Sequence, residues 1–172
     1  MPLLVAADFE GGVAFRLGGG TALGLPMLWG AAGSTRLATA AGRVTADEST
    51  ALGVQWIYAP VLDVNSNPAN PIINVRSFGE SPELVGRLGT AFALGCQTHG
   101  ALATGKHFPG HGDVDTDSHL ALPTVPGDRA RLDAVELAPF RRAIDAGIAS
   151  LMTGHLAVPG LGLPPDRPDY LK

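Results

Sequence analysis

The sequence has little cysteine: Cys96 is the only one among 172 residues. A single thiol excludes an internal disulfide and any zinc site built from several cysteines. Cys96 lies within an apolar helical pattern, so we expect a buried thiol that takes no part in chemistry.

Runs of basic residues and long apolar stretches are also missing. The net charge is -4 and the pI is about 5.6, so neither nucleic acid nor an anionic membrane is an expected partner. No stretch approaches the roughly 20 apolar residues that span a bilayer, so no membrane span is expected. Residues 1–5 lack the basic region and cleavage site of a signal peptide, which leaves the compartment open between bacterial cytoplasm and periplasm.

The chain does contain apolar runs that alternate with helical patterns. Hydrophobic residues make up 45% of the sequence, enough for one compact core. The pattern predicts four strands and three long helical segments, with an irregular glycine-rich stretch at 18–33 and a short turn before the last helix. The strands are predicted at 3–9, 55–62, 101–106 and 148–153, and the helical segments at 35–52, 81–99 and 128–147, with Pro139 interrupting the last.

This alternation predicts the α/β fold class with a parallel sheet, as found in (β/α)8 barrels and in doubly wound sheets. Four strands would be half of an eight-stranded barrel. In every unit the polar, glycine-rich residues follow the strand, so candidate functional residues should gather at the carboxyl edge of the sheet.

The loop at 106–119 concentrates the chemistry, with three histidines, three aspartates and a lysine in fourteen residues. One interpretation is a metal site, but the spacing fits no standard zinc pattern, and a calcium loop fails at Ser118 and Thr124. A second is a solvated loop whose histidines are satisfied by backbone groups. A third is acid–base catalysis on a sugar, in which Asp117 holds the imidazole of His119 two residues away and tunes its pKa.

The motifs of this chain resemble those of family 3 glycoside hydrolases, and most closely the β-N-acetylglucosaminidase (β-hexosaminidase) branch. The central signature is Lys106-His107-Phe108-Pro109-Gly110-His111-Gly112 followed by Asp117-Ser118-His119. Four further segments are similar to family motifs in the same order: 8–12 with Arg16, 59–64, 74–79 and 152–155. The resemblance implies that residues 1–172 are a fragment of the family's N-terminal (β/α)8 catalytic domain, about four β/α units long.

The resemblance also implies roles for individual residues. His119, paired with Asp117, would be the general acid/base of a retaining glycosidase that removes terminal β-linked N-acetylglucosamine from glycans or peptidoglycan fragments, without a cofactor or metal. Five residues would bind the sugar: Asp8, Arg16, Arg76, Lys106 and His107. We expect structural roles for the remaining polar residues of these motifs, with the carboxylates bonding to neighbouring backbone: Glu10, Asp63, His99, His111 and His155.

The chain departs from the family pattern in two places. Val13 stands where the family usually has an arginine. The aspartate nucleophile, which the family carries on a later strand, has no counterpart in residues 158–172, so it is expected beyond this chain. Two alternatives therefore stay open: an N-acetylglucosaminide phosphorylase, and a non-catalytic sugar-binding fragment.

Overall fold

The computed structural model describes residues 3–118, 120–162 and 166. Helices and strands alternate as predicted. In chain order they are β1 (Ala6–Ala7), α1 (Pro26–Ala32), α2 (Thr35–Ala51), β2 (Trp56–Ile57), α3 (Pro82–Gln97), β3 (Leu102–Phe108), α4 (Arg129–Ala134), α5 (Ala138–Asp145) and β4 (Ser150–Thr153). Short 3-10 turns occupy Val13–Phe15, Asn74–Arg76 and Pro159–Leu161.

The four strands form one parallel sheet in the order β1-β2-β3-β4. Ala7 of β1 lies beside Ile57 of β2, and Ile57 lies beside Ala103 of β3. Each new strand is added on the same side of the previous one. A doubly wound sheet reverses direction at a switch point, whereas a (β/α)8 barrel does not, so this order favours the barrel.

The regular parts of β1 and β2 are shorter than predicted, at two residues each. After β1 the chain turns, with the Gly12 N–H donating to the Phe9 carbonyl. After β2 comes Pro60, which has no N–H to give to a ladder, and pairing resumes as one bridge between Val61 and Lys106. The apolar runs predicted the strands correctly, but these local turns decide where pairing stops.

The prediction of irregular structure over residues 18–33 is wrong at its end, where α1 forms. Pro26 occupies the first turn of this helix, and Gly33, in the left-handed region at φ 61°, ends it. Trp29 is 7% exposed and stacks on Phe92 of α3 with 5.6 Å between ring centroids. A seven-residue helix has too few apolar positions to show a period, so packing of one indole decides its place.

The turn predicted at the start of segment 128–147 is also wrong, because the structure has the short helix α4 there. The Asp128 carboxylate accepts a hydrogen bond from the Arg131 N–H at 2.9 Å and so caps it. The break before α5 is confirmed, with Pro139 in the first turn of that helix.

The main core lies between the sheet and helices α1 to α3, and includes Phe9, Ile57, Phe78, Leu88, Phe92 and Ala103. Cys96 belongs to this cluster and is fully buried, as expected. Its thiol lies 3.3 Å from the Gly42 carbonyl oxygen, and burial raises the pKa of the thiol. Among the described residues, no helix is long and apolar enough to cross a membrane.

Helices α2 and α3 approach so closely that their backbones touch at glycines. A Cβ atom on Gly42 would lie 2.2 Å from the Phe92 carbonyl oxygen, and one on Gly95 would lie 2.3 Å from that of Thr39. Both obstacles are backbone atoms, which cannot rotate away as a side chain can. The two glycines therefore set the distance between the helices.

Replacing Gly42 by alanine should destabilise the protein, although this change usually stabilises a helix by roughly 0.5–1 kcal/mol. We expect a loss of about 1–3 kcal/mol, because the added methyl group must push α2 away from α3. Urea unfolding of the wild type, Gly42→Ala and the half-exposed control Leu37→Ala would measure it. A Gly42→Ala protein as stable as the wild type would contradict this account of the packing.

Candidate active site

A cavity of about 560 Å³ lies at the carboxyl ends of the strands. Its volume is typical of sites that hold small ligands. All five residues predicted to bind sugar line this cavity: Asp8, Arg16, Arg76, Lys106 and His107. The fold thus brings together side chains that lie up to 99 positions apart in the sequence, while their role in binding stays a prediction.

Glu10 is the centre of the ionic network in this cavity. Its carboxylate forms a two-pronged pair with Arg76, with Nε–Oε2 and Nη2–Oε1 distances of 2.8 Å. The same Oε1 atom lies 2.7 Å from Nζ of Lys106. Lys106 also donates to Asp8, at 2.6 Å. The expectation that Glu10 bonds neighbouring backbone is therefore wrong: it joins the ends of distant segments.

Burial and the neighbouring cations shift the pKa of Glu10 in opposite directions. Burial by itself would raise the pKa of Glu10, but hydrogen bonding from Arg76 and the charges of Lys106 and Arg76 outweigh it and lower the pKa to about 2. The hydrogen bond to Glu10 in turn raises the pKa of the Arg76 guanidinium. Glu10 is 2% exposed and the Asp8 side chain 41%, so Glu10 supports the cavity from below while Asp8 faces the solvent.

An irregularity in β3 turns two successive side chains into the cavity. Lys106 pairs with Met152 of β4, but Phe108 pairs with Thr153, so the register slips by one residue between them. Neighbouring residues of a regular strand face opposite sides of the sheet. The slip allows both Lys106 and His107 to line the same cavity.

Asp63, six residues after β2, holds the beginning of the loop that follows β3. Its carboxylate accepts hydrogen bonds from the backbone N–H and Nδ1 of His107, at 3.1 and 2.7 Å, and from the backbone N–H of His111, at 2.7 Å. Burial would raise the pKa of Asp63, but these interactions lower it. Asp63 bonds to backbone as expected, and it also fixes the orientation of a predicted sugar-binding imidazole.

The three histidines expected to be structural have different surroundings. His99 is exposed and pairs with Asp47 at 2.8 Å, outside the cavity. His111 is 2% exposed, and its ring nitrogens have no hydrogen-bond partner among the described residues. Burial lowers the pKa of His111, which favours the neutral imidazole. His155 lines the cavity at the end of β4.

The predicted acid/base pair is only partly visible. His119 lies outside the described residues. Asp117 is half-buried in the loop after β3, and its carbonyl oxygen accepts the backbone N–H groups of Leu120 and Ala121 at 2.9 and 3.1 Å. Asp117 does not line the cavity, whereas its neighbour Ser118 does. The loop that carries the pair therefore reaches the cavity wall.

No group of three histidine, cysteine, aspartate or glutamate side chains that could hold a metal ion occurs in the part of the chain that the structure describes. The donors that do converge in the cavity are cations held against carboxylates. Fixed ammonium and guanidinium donors beside a partly exposed carboxylate acceptor suit adjacent hydroxyl groups of a sugar.

Glu10 could have been found from the sequence, because it lies two positions after Asp8. Residues two apart in an extended segment point the same way, so both carboxylates were candidates for the same cavity. The contact with Arg76 gives no comparable signal, since 66 positions separate the two residues.

Replacing Glu10 by glutamine should change how stability depends on pH. Folding lowers the pKa of Glu10 from 4.5 to about 2, so the stabilisation is complete above about pH 5 and is lost as the pH falls toward 2. This corresponds to roughly 3 kcal/mol. We expect the wild type to lose about that much more unfolding free energy than Glu10→Gln between pH 6 and pH 2, by urea unfolding. Glu80→Gln, an exposed change outside the cavity, is the control, and identical pH profiles for Glu10→Gln and wild type would contradict the network.

Comparison with known proteins identifies the family. Residues 1–167 match the glycosyl hydrolase family 3 N terminal domain. The chain is 40% identical over 171 residues to beta-hexosaminidase A of Pseudoalteromonas piscicida, an alignment that covers 94% of this chain and 28% of that protein.

Solved structures agree. A family 3 β-N-acetylglucosaminidase from Paenibacillus sp. str. FPU-7 is 50% identical with a TM-score of 0.91, over 95% of this chain and 32% of that one. The β-glucoside phosphorylase BglX is 35% identical with a TM-score of 0.87, over 93% and 29%. The chain spans about a third or less of each of these proteins. It belongs to glycosyl hydrolase family 3, and its four β/α units are part of the (β/α)8 barrel of that family's N-terminal domain.

Proposed function

We propose that residues 1–172 are part of the catalytic (β/α)8 domain of a retaining β-N-acetylglucosaminidase. Its substrate is a terminal β-linked N-acetylglucosamine of glycans or peptidoglycan fragments. The observation that carries the proposal is the convergence of Asp8, Arg76 and Lys106 around the buried Glu10 at the carboxyl edge of the barrel. The names of the Pseudoalteromonas and Paenibacillus relatives support the choice of sugar.

The cavity residues bind the terminal sugar. Asp8 accepts hydrogen bonds from sugar hydroxyls, and Lys106, Arg76 and His107 donate or accept on the same ring, with Arg16 at the rim. Because Glu10 and Asp63 already fix these side chains, little rotamer freedom is lost when the sugar arrives. The binding energy is then available for orienting the glycosidic bond.

Catalysis needs an acid and a nucleophile on opposite sides of the anomeric carbon. His119, oriented by Asp117, gives its proton to the glycosidic oxygen while the bond between that oxygen and C1 breaks. An aspartate outside residues 1–172 forms the new bond to C1, which gives a covalent glycosyl-enzyme. The neutral His119 then takes a proton from water, whose oxygen attacks C1 and releases the aspartate, so the β configuration is retained.

The complete gene product should hydrolyse 4-nitrophenyl β-N-acetylglucosaminide, and residues 1–172 alone should not. The chain has the proposed acid/base and sugar-binding residues, but not the nucleophile. Release of 4-nitrophenol by both proteins at equal concentration measures this. If the complete product binds N-acetylglucosamine but turns over no β-N-acetylglucosaminide, it is a sugar-binding protein and the enzymatic proposal fails.

Replacing His119 by alanine in the complete gene product should reduce kcat/KM by about 10²–10⁴-fold on a β-N-acetylglucosaminide with a poor leaving group. The loss should be much smaller on 2,4-dinitrophenyl β-N-acetylglucosaminide, because that leaving group departs without a proton. The exposed, cavity-remote His99→Ala serves as the matched control. Equal losses on both substrates would argue against His119 as the acid.

A phosphorylase is the second candidate, favoured by the similarity to BglX. A histidine acid/base leaves less negative charge near the sugar than a carboxylate, so phosphate can approach C1 in place of water. Product analysis with and without inorganic phosphate separates the two reactions. We expect free N-acetylglucosamine as the main product in both; N-acetylglucosamine 1-phosphate in the presence of phosphate would establish the phosphorylase instead.

A further inference from the structure

A second ionic cluster lies beside the cavity and shares no residue with it. The guanidinium Nη2 of Arg131, on α4, is 3.1 Å from a carboxylate oxygen of Asp113 and 3.2 Å from one of Glu136. None of these three residues lines the cavity. Asp113 is one of the three aspartates of the loop at 106–119, whereas no motif pointed to Arg131 or Glu136. The proposed reaction uses none of the three.

Burying the carboxylate of Glu136 at this position costs free energy. It is 2% exposed, burial raises its pKa, and its Oε2 atom has no hydrogen-bond partner among the described residues. The Arg131 side chain is 40% exposed, so the pair is only partly buried, and such a pair adds little to stability. Its effect on the neighbouring loop is more specific.

The cluster contacts the loop after β3 at Gly110 and Asp113, between the residues that line the cavity and Asp117. Gly110, at φ 140°, packs so closely on Glu136 that a Cβ atom would lie 2.9 Å from the Glu136 Cβ. Three residues further on, Asp113 is bound by Arg131. Val114 then belongs to a buried apolar cluster with Leu132 of α4 and Leu137, which precedes α5.

The opposite side of this loop is held by the segment that follows β2. Asn70 donates to the His111 carbonyl at 2.7 Å, and a Cβ atom on Gly112 would lie 1.7 Å from the Val64 carbonyl oxygen. The loop is thus clamped between two segments up to Val114. Asp117 follows only three residues later, so the position of the clamp limits where Asp117 can lie.

We propose that Arg131, held by Glu136, is a positioning residue that fixes the loop carrying the catalytic Asp117 pair through Asp113. This inference rests on the proposed glycosidase function. Arg131 does not contact the substrate. It acts by keeping the segment that carries the acid/base pair at a fixed position relative to the cavity. A displacement of about 1 Å in such a segment can lower the rate by roughly 10²-fold.

The test is Arg131→Ala in the complete gene product, with kcat/KM measured on two β-N-acetylglucosaminides of poor and good leaving group. The value of kcat/KM reports the steps up to the glycosyl-enzyme. We expect a fall of about 10–100-fold on the poor leaving group and less than about 3-fold on the 2,4-dinitrophenyl substrate, since only the former needs a well-placed acid. Arg129→Ala, on the same helix and paired only with Asp133 among the described residues, should leave both values unchanged.

A merely structural role would lower both values together through loss of folded protein, so equal losses would overturn the proposal. Glu136→Gln keeps the shape of the side chain and an oxygen acceptor for Arg131 while removing the charge. Glu136→Gln should also lower kcat/KM more on the poor leaving group than on the 2,4-dinitrophenyl substrate. This variant keeps the test informative if Arg131→Ala does not fold. A wild type inactive on both substrates would refute the proposed function, whereas an active wild type with an unchanged ratio in both variants would refute the positioning role alone.

Discussion

Glu10 is a carboxylate that folding removes from water and places between two cations. Its partners come from different units: Lys106 from the end of β3 and Arg76 from the turn before α3. Removing Glu10 would leave the partly buried guanidinium of Arg76 without its carboxylate partner, which is costly. The positions of Asp8 and Lys106, and with them the polar wall of the cavity, depend on this arrangement.

The other constraints on the cavity come from backbone geometry and from Asp63. Glycines let α2 and α3 approach closely, and both helices pack on the core beneath the sheet. The register slip in β3 turns Lys106 and His107 toward the same cavity. Asp63 then holds the imidazole of His107 and the N–H of His111. The contact with Asp63 restricts the His107 side chain before a ligand arrives, which lowers the entropic cost of binding.

The site thus has two kinds of support. A buried network fixes the residues that we propose bind the sugar, while a cluster at the edge of the cavity holds the loop of the proposed acid/base. The first is set by burial and charge among residues that follow β1, precede α3 or belong to β3. The second connects α4 to Asp113 and shares no residue with the first.

The sequence was enough to predict the alternation of strands and helices and the gathering of polar loops at one edge of the sheet. Both follow from periodicity and from the order of residues along the chain. Its motifs also indicated which residues line the cavity. Three features needed the folded structure: helix α1, which is placed by Trp29 packing on Phe92; the contact of Glu10 with Arg76; and the clamp formed by Arg131. Each of these depends on contacts between distant segments or on the geometry of packing, and neither leaves a periodic signal in the sequence.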